Sequence, residues 1–304
     1  MPMRSLASAL VFCALPSALA SASTLVFGPG SLELRLITAK LIAREPGCSA
    51  ALYVGDEPKA AKKCRRLMYG SDYAEADVDA PENAQVLSSV EELGKTLASA
   101  TKLCLVCDSA PLSDGAFNTL LTNAPGLERV VLLSKMGVTR AKPGPFGLPN
   151  PDVALFKNEE DVRSAAAARG IETSVVRVGS LKGGGPGEIA DGALVGPIEL
   201  GLSKTYYDGI AELSTYMTTQ SYDRFTLGAK LAAGDPIDLP NALLLAARQA
   251  SFEPRDDETS RVIAGQAVVH ALCRHPTAVD MSVSSAAGEA APTPDEWTEL
   301  FAKL

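Results

Sequence analysis

The sequence predicts an α/β fold organised around a doubly wound parallel sheet. Three observations point there. Short apolar runs recur at Thr24–Phe27, Ala50–Val54, Tyr73–Val78, Lys102–Cys107, Glu128–Leu133 and Thr173–Val178. Segments of helical period separate them. The intervals are too long for hairpins, so parallel strands joined by right-handed crossovers are expected.

The first run sits in Thr24–Gly30, TLVFGPG, which breaks at Gly28-Pro29-Gly30 and passes into SLELRLITAKLIAR. There Leu34, Ile37 and Leu41 recur at helical spacing and should pack on the sheet. A strand, a glycine turn and a helix N-terminus beginning at Ser31 form the arrangement that cradles a pyrophosphate. The motif is incomplete, because the position three residues after Gly30 holds Glu33 where a third glycine is expected.

Pro46-Gly47 ends the first helix. The second strand stops at Gly55-Asp56, and KAAKKCRR opens a second helix. Its Lys59, Lys62, Lys63 and Arg66 form a basic stripe that reads as a solvated face, or as a site where Lys59 meets a 2′-phosphate. After the third strand, Asp79 caps and Pro81 opens a helix running through DAPENAQVLSSVEELGKTLAS. A helix over Asp114–Thr122 follows the fourth strand, and Arg140–Pro151, rich in Pro and Gly, reads as a loop above the strand ends. A helix over Asp152–Arg169 leads into the sixth strand and the loop GSLKGGGPGE. From Leu202 to about Gln249 the pattern turns helical, with Tyr206, Tyr207, Tyr216, Tyr222 and Phe225 clustered, which predicts a helical insertion near 202–249. The tail returns to a helix near Ser260–Cys273, a strand at Val279–Ser284 and a terminal helix PDEWTELFAKL.

With 304 residues, 46% of them apolar, the chain can bury one large core plus an appendage, so one main domain over 24–304 is expected. Residues 1–22 read as a secretory signal peptide: Arg4, an apolar stretch from Leu6 to Leu15, and small-residue cleavage signals at Ala18-Leu19-Ala20 and Ala20-Ser21-Ala22. That stretch is too short to remain as a membrane span. Without Arg4 the chain carries 27 basic against 36 acidic residues, net −9, which argues against nucleic acid as a partner. Five cysteines remain at irregular spacing, which is no disulfide framework. Cys104 and Cys107 lie three apart in one strand, so their side chains should face opposite sides as small buried hydrophobes. His270 and Cys273 lack an evident third ligand, so no metal is expected.

The order of these segments resembles the atypical short-chain dehydrogenase/reductase families, in particular NmrA-like NAD(P)-binding proteins with a Rossmann-like sheet. The resemblance spans about Thr24 to Ala190 and resumes near Ser260. It rests on TLVFGPG, ALYVGDEPKA, EADVDAPENAQVL, ERVVLLSKMGV and KNEEDVRSAAAARGIETSVVRVGSLKGGG. The last segment is the most specific, since Arg177-Val178-Gly179 stands where those families end a strand in Arg-Pro-Gly. The resemblance implies NAD or NADP as cofactor, with Gly28, Gly30 and Ser31 at the phosphates, Asp56 at the adenine ribose and Asp77 at the adenine ring. It further implies that Ser134 polarises a substrate carbonyl and that Lys157 holds the nicotinamide ribose. The family's catalytic tyrosine falls at Val153, which carries no proton to give.

Three functions follow as expectations: a dinucleotide-binding sensor, scaffold or assembly factor without tyrosine chemistry; a working reductase or isomerase whose proton donor is Tyr206 or Tyr207; and a structural partner protein with an empty fold. The clustered aromatics suit either the core of the insertion or a protein-binding face. The signal peptide points to the secretory pathway, lumenal or secreted, with the plastid of a complex-plastid alga as the alternative.

Overall fold

The computed structural model describes residues 22–55, 61–62, 64–65, 83–144, 148–184, 223–237 and 254–304. Ten strands lie in them: β1 (Ala22–Phe27), β2 (Cys48–Tyr53), β3 (Ala84–Leu87), β4 (Lys102–Val106), β5 (Arg129–Lys135), β6 (Glu172–Val178), β7 (Ser180–Lys182), β8 (Gly228–Ala233), β9 (Glu258–Ser260) and β10 (Asp280–Ala286). Helices accompany them, among them α1 (Leu32–Arg44), α2 (Val90–Ser99), α3 (Ala116–Asn123), α4 (Pro151–Ala167), α5 (Arg261–Val269), which continues as a π turn over His270–Arg274, and α6 (Pro294–Phe301).

The main sheet has the order β3-β2-β1-β4-β5-β6-β10-β8. Every neighbouring pair is parallel except β10 and β8. This is the expected doubly wound, Rossmann-like sheet, and the strand order reverses between β1 and β4. A parallel pair, β7 and β9, stands apart from it.

The strands are apolar on both faces because both are covered. Leu25, Leu103, Leu105, Val130, Leu132 and Val175 pack against Leu97 of α2, Phe117 and Leu120 of α3 and Val162 of α4. Their chain neighbours Val26, Cys104, Val131 and Val176 face the other way, onto Leu34, Ile37 and Ile263 of α1 and α5 and Trp297 of α6. Cys104 and Cys107 accordingly enter opposite cores, as the period of two requires.

Helix starts follow local capping chemistry. Ser89 and Glu92 form a capping box on α2, Thr293 and Glu296 another on α6, and Asn150 caps α4 ahead of Pro151. The α2 start corrects the expected helix opening at Pro81. Ala84–Leu87 is instead a strand, pairing Ala50–Tyr53 in register, and the helix begins only beyond Ser89. The expected strand at Tyr73–Val78 lies outside the described residues, as does most of the basic stripe. Of that second helix, residues 61–62 and 64–65 are described and helical.

The insertion near 202–249 was expected to be helical throughout, yet Gly228–Ala233 within it forms an antiparallel strand against Met281–Ala286. A partner strand distant in sequence decides this, because GAKLAA has no strong period of its own. Gly228 closely meets the end of that strand and the residue after it: a Cβ there would lie 2.6 Å from the Ala287 carbonyl oxygen and 3.0 Å from that of Ala286. Tyr206, Tyr207, Tyr216 and Tyr222 lie outside the described residues, and so does the leader apart from Ala22, which already belongs to β1. No described helix is long and apolar enough to cross a membrane.

Candidate functional site

The glycine turn sits at the C-terminal strand ends where the order reverses between β1 and β4, the place at which open α/β sheets bind ligands. Gly28 has φ 140°, a backbone that side chains rarely adopt, and a Cβ there would lie 2.2 Å from the Val106 carbonyl oxygen. Gly30 donates its N–H to that same oxygen at 2.9 Å. A Cβ on Gly30 would stand 2.2 Å from Oδ1 of Asp108. Both glycines are therefore required by the end of β4, which presses against the turn from inside the protein.

Asp108 is the residue that sequence reasoning missed. Its Oδ1 accepts the Ser31 N–H at 2.9 Å, so a carboxylate of the chain itself caps the α1 N-terminus. Burial raises the Asp108 pKa; the bond from Ser31 and the charges of Arg261 and Arg35 oppose this without cancelling it. One signal was available in the sequence: an acidic residue placed directly after the strand that neighbours the glycine turn.

Glu33 faces the same cap. The Ser31 hydroxyl donates to Glu33 Oε2 at 3.2 Å and accepts the Leu34 N–H at 3.4 Å. Arg35, one turn into α1, donates through Nη1 to the Tyr53 carbonyl at 3.2 Å, while its buried Nε has no partner among the described residues. Burial lowers the Arg35 pKa, and Cys64, Asp108 and Glu33 act in the opposite sense. Arg261, the first residue of α5, donates to the Gly183 carbonyl, and its buried Nε likewise lacks a partner among the described residues. Two carboxylates and two guanidinium groups thus surround one helix N-terminus.

Ser134 stands near the end of β5 directly beside Arg177 of β6 in register. It is 1% exposed, and its Oγ has no partner among the described residues. The loop after it is held by Asp235, which accepts the Gly137 N–H at 2.7 Å and the Thr139 N–H and hydroxyl at 3.1 and 2.8 Å. Lys157 lies on α4 one turn beyond Val153, with its side chain 65% exposed and 3.6 Å from Asp114 and 4.0 Å from Asp161. With Asp114, Asn158 and Asp161 it lines a groove of about 540 Å³ between α3 and α4. The two residues thus occupy different surroundings, one buried in the sheet and one in solvent. Asp56 and Asp77 lie outside the described residues.

Below Ser134 the sheet is locked to α4. Arg177 donates to both oxygens of Glu159, at 3.0 and 2.6 Å, and also to Asp280, which Arg163 engages as well. Burial alone would lower the Arg177 pKa, but the bonds to Glu159 and Asp280 raise it. Gly179, two residues on, lets the chain pass Asp257: a Cβ there would be 2.3 Å from the Asp257 carbonyl oxygen, and its N–H reaches the Thr259 hydroxyl at 2.9 Å. The Arg-Val-Gly end of β6 is thus tied on one side to α4 and on the other to the segment that leads into β9.

No family model matches the chain, and no curated protein does. Among solved structures, a short-chain dehydrogenase/reductase (wide type) from Veillonella parvula in complex with NADP is 11% identical, with a TM-score of 0.46, over 86% of this chain and 93% of that one. UDP-N-acetylglucosamine 4-epimerase from Bacillus cereus is 12% identical, TM-score 0.42, over 88% and 78%. A short-chain oxidoreductase from Pseudomonas aeruginosa containing an atypical catalytic center is 14% identical, TM-score 0.43, over 83% and 90%. At these values the fold assignment rests on the strand order and register of the chain itself.

Proposed function

We propose that the chain is an NAD(P)-binding protein of the atypical short-chain dehydrogenase/reductase type that lacks tyrosine-dependent catalysis and acts as a sensor, scaffold or assembly factor. The observation that carries this reading is the glycine turn and α1 N-terminus at the β1–β4 reversal, with Arg35 and Arg261 beside it. Backbone N–H groups and two guanidinium groups suit a pyrophosphate. Val153 at the tyrosine position, and Ser134 buried beside Arg177, argue against carbonyl reduction by the usual route.

Asp108 makes binding conditional. Two unit charges near 4 Å repel by about 4 kcal/mol at an effective dielectric of 20, whereas a helix N-terminus favours an anion by about 0.3–1 kcal/mol. A pyrophosphate therefore enters only when Asp108 is protonated or turned away from Ser31; burial shifts its pKa upward, the direction that favours the protonated form. The second reading, a structural partner protein with an empty fold, is favoured by the same bond, since one N–H at the helix terminus is already engaged by the chain itself.

Titration with NADH and NADPH, followed by nicotinamide fluorescence, separates the two. Saturable binding supports the first reading. Its absence at millimolar cofactor, in the wild type and in Asp108→Asn alike, leaves the empty fold. Hydride transfer to carbonyl substrates that is lost in Lys157→Ala would instead favour a working reductase with its donor in the 202–249 segment. That aromatic segment is the proposed protein-binding face, and the secretory lumen the proposed place of action; a tagged full-length chain viewed by microscopy tests the latter.

A further inference from the structure

At the N-terminal edge of the sheet, opposite the glycine turn, the loop closing α1 meets the π turn that follows α5. Cys48, the first residue of β2, directs its Sγ at the Sγ of Cys273 at 3.5 Å. Both are thiols, and each is partly exposed. A second link holds the same junction. Arg274 contacts Glu45 Oε2 through Nε at 2.8 Å and through Nη2 at 2.7 Å, and the Cys48 N–H reaches the Glu45 carbonyl at 3.0 Å. The neighbour of one cysteine is thus ion-paired to the turn that delivers the other. The two sulfurs meet because the backbone on both sides is already tied.

We propose that Cys48 and Cys273 form a reversible intrachain disulfide that staples β2 to the end of α5 across a sequence separation of 225 residues. The oxidant is a low-molecular-weight disulfide or a disulfide-bearing oxidoreductase. One cysteine thiolate attacks the oxidant's sulfur, making a mixed disulfide and releasing one oxidant thiolate. The second cysteine, as thiolate, attacks the protein sulfur of that mixed disulfide; the Cys48–Cys273 bond forms and the other oxidant thiol departs. The two protein thiols lose two protons and two electrons, and the oxidant's disulfide is reduced to two thiols.

Burial pushes the Cys273 thiol up to about 12, with Cys48 and Glu45 adding to the effect and Lys102 opposing it. Such a thiolate is sparsely populated near neutral pH, which slows its attack, and as a leaving group it departs slowly too. The bond, once made, suits a lasting lock better than a fast relay. Cys104 and Cys107 are poor competitors for the oxidant, since burial raises both and they face opposite cores.

The test uses the full-length protein equilibrated with excess oxidised glutathione, alkylated under denaturing conditions and digested without reduction. A peptide pair joining Cys48 to Cys273, two hydrogens lighter than its parts and lost on treatment with dithiothreitol, is expected. The oxidised form should melt about 5–10 °C above the reduced form. That difference should vanish in Cys48→Ser and in Cys273→Ser. Alkylation of both cysteines, a link to any other cysteine, or glutathione adducts that never resolve would overturn the proposal, and so would a linked pair with no thermal shift. If either variant fails to fold, the wild-type peptide map and its melting pair decide.

Discussion

The Asp108 carboxylate accepts the Ser31 amide hydrogen at 2.9 Å, which sets an anion of the protein's own at the helix N-terminus that the glycine turn presents. Ser31 then also holds Glu33 through its hydroxyl. On the proposed reading, nucleotide affinity in this chain is a competition between these carboxylates and the phosphates, with Arg35 and Arg261 beside them.

Asp108→Asn removes one competitor and retains a carbonyl oxygen that can accept the Ser31 N–H. NADH or NADPH should bind at least about tenfold more tightly, a change of about 1.4 kcal/mol. In the wild type, a bound pyrophosphate raises the Asp108 pKa further, so binding takes up a proton and affinity should increase as pH falls. Fluorescence titrations at a series of pH values check both, and an affinity that rises with pH would sink the argument.

Glu159→Ala leaves the Arg177 guanidinium, 2% exposed, without its bidentate partner. Removing one member of a buried pair costs about 3–5 kcal/mol. Urea unfolding should show a loss of that order, and a loss under about 1 kcal/mol would mean that the pair is dispensable. Asp280 adds a pH signature. Burial would raise its pKa, but the bonds from Arg177 and Arg163 bring it below 3.8. Its contribution is complete above the unfolded value and disappears as pH falls through the lower, folded one.

Gly28→Ala and Gly115→Ala should differ sharply although both positions have positive φ, 140° and 74°. A Cβ at 28 runs into the Val106 carbonyl at 2.2 Å, whereas at 115 nothing lies within 4 Å. The first substitution should cost more than about 3 kcal/mol and the second about 1 kcal/mol. Thermal melts of the two variants suffice, and equal losses would contradict the close approach of β1 and β4.

His270 lies against Phe301, ring centroids 4.4 Å apart, and its Nδ1 has no partner among the described residues. Burial, then the charges of His275 and Arg274, lower its pKa to about 4. The folded state thus holds the ring neutral while the unfolded chain protonates near about 6.5. Stability from this residue is complete above the unfolded pKa and is lost as pH falls from there toward 4. Denaturation at pH 7.5 and 5 should show that slope in the wild type and a shallower one in His270→Phe; identical slopes would refute it.

Most of the architecture was legible in the residue pattern. The strands β1, β2, β4, β5 and β6 and the helices α1, α4, α5 and α6 fall within a few residues of the expected places, because long buried elements repeat their period many times. Ala84–Leu87 was not legible as a strand: four residues hold too little period to outweigh Pro81, although Ser89-x-x-Glu92 already marked where the helix begins. Gly228–Ala233 was hidden for another reason, since its strand character is conferred by β10. In the site, the glycines and the Ser31 cap were readable, and Lys157 was readable as a helix residue. Asp108, Arg35 and Arg261 converge from three elements distant in sequence, and no spacing rule relates them.

By itself the sequence determined the alternation of strands and helices, the crossovers, the glycine turn and the valine at position 153, since each depends on local period or on one residue's chemistry. Only the tertiary structure decided that β4 fills the space beside Gly28 and Gly30, that Asp108 reaches Ser31, and that Cys48 meets Cys273. Those outcomes depend on where separate elements dock. Docking is set by the packing of two cores on one sheet, a property of the whole chain that no short window contains.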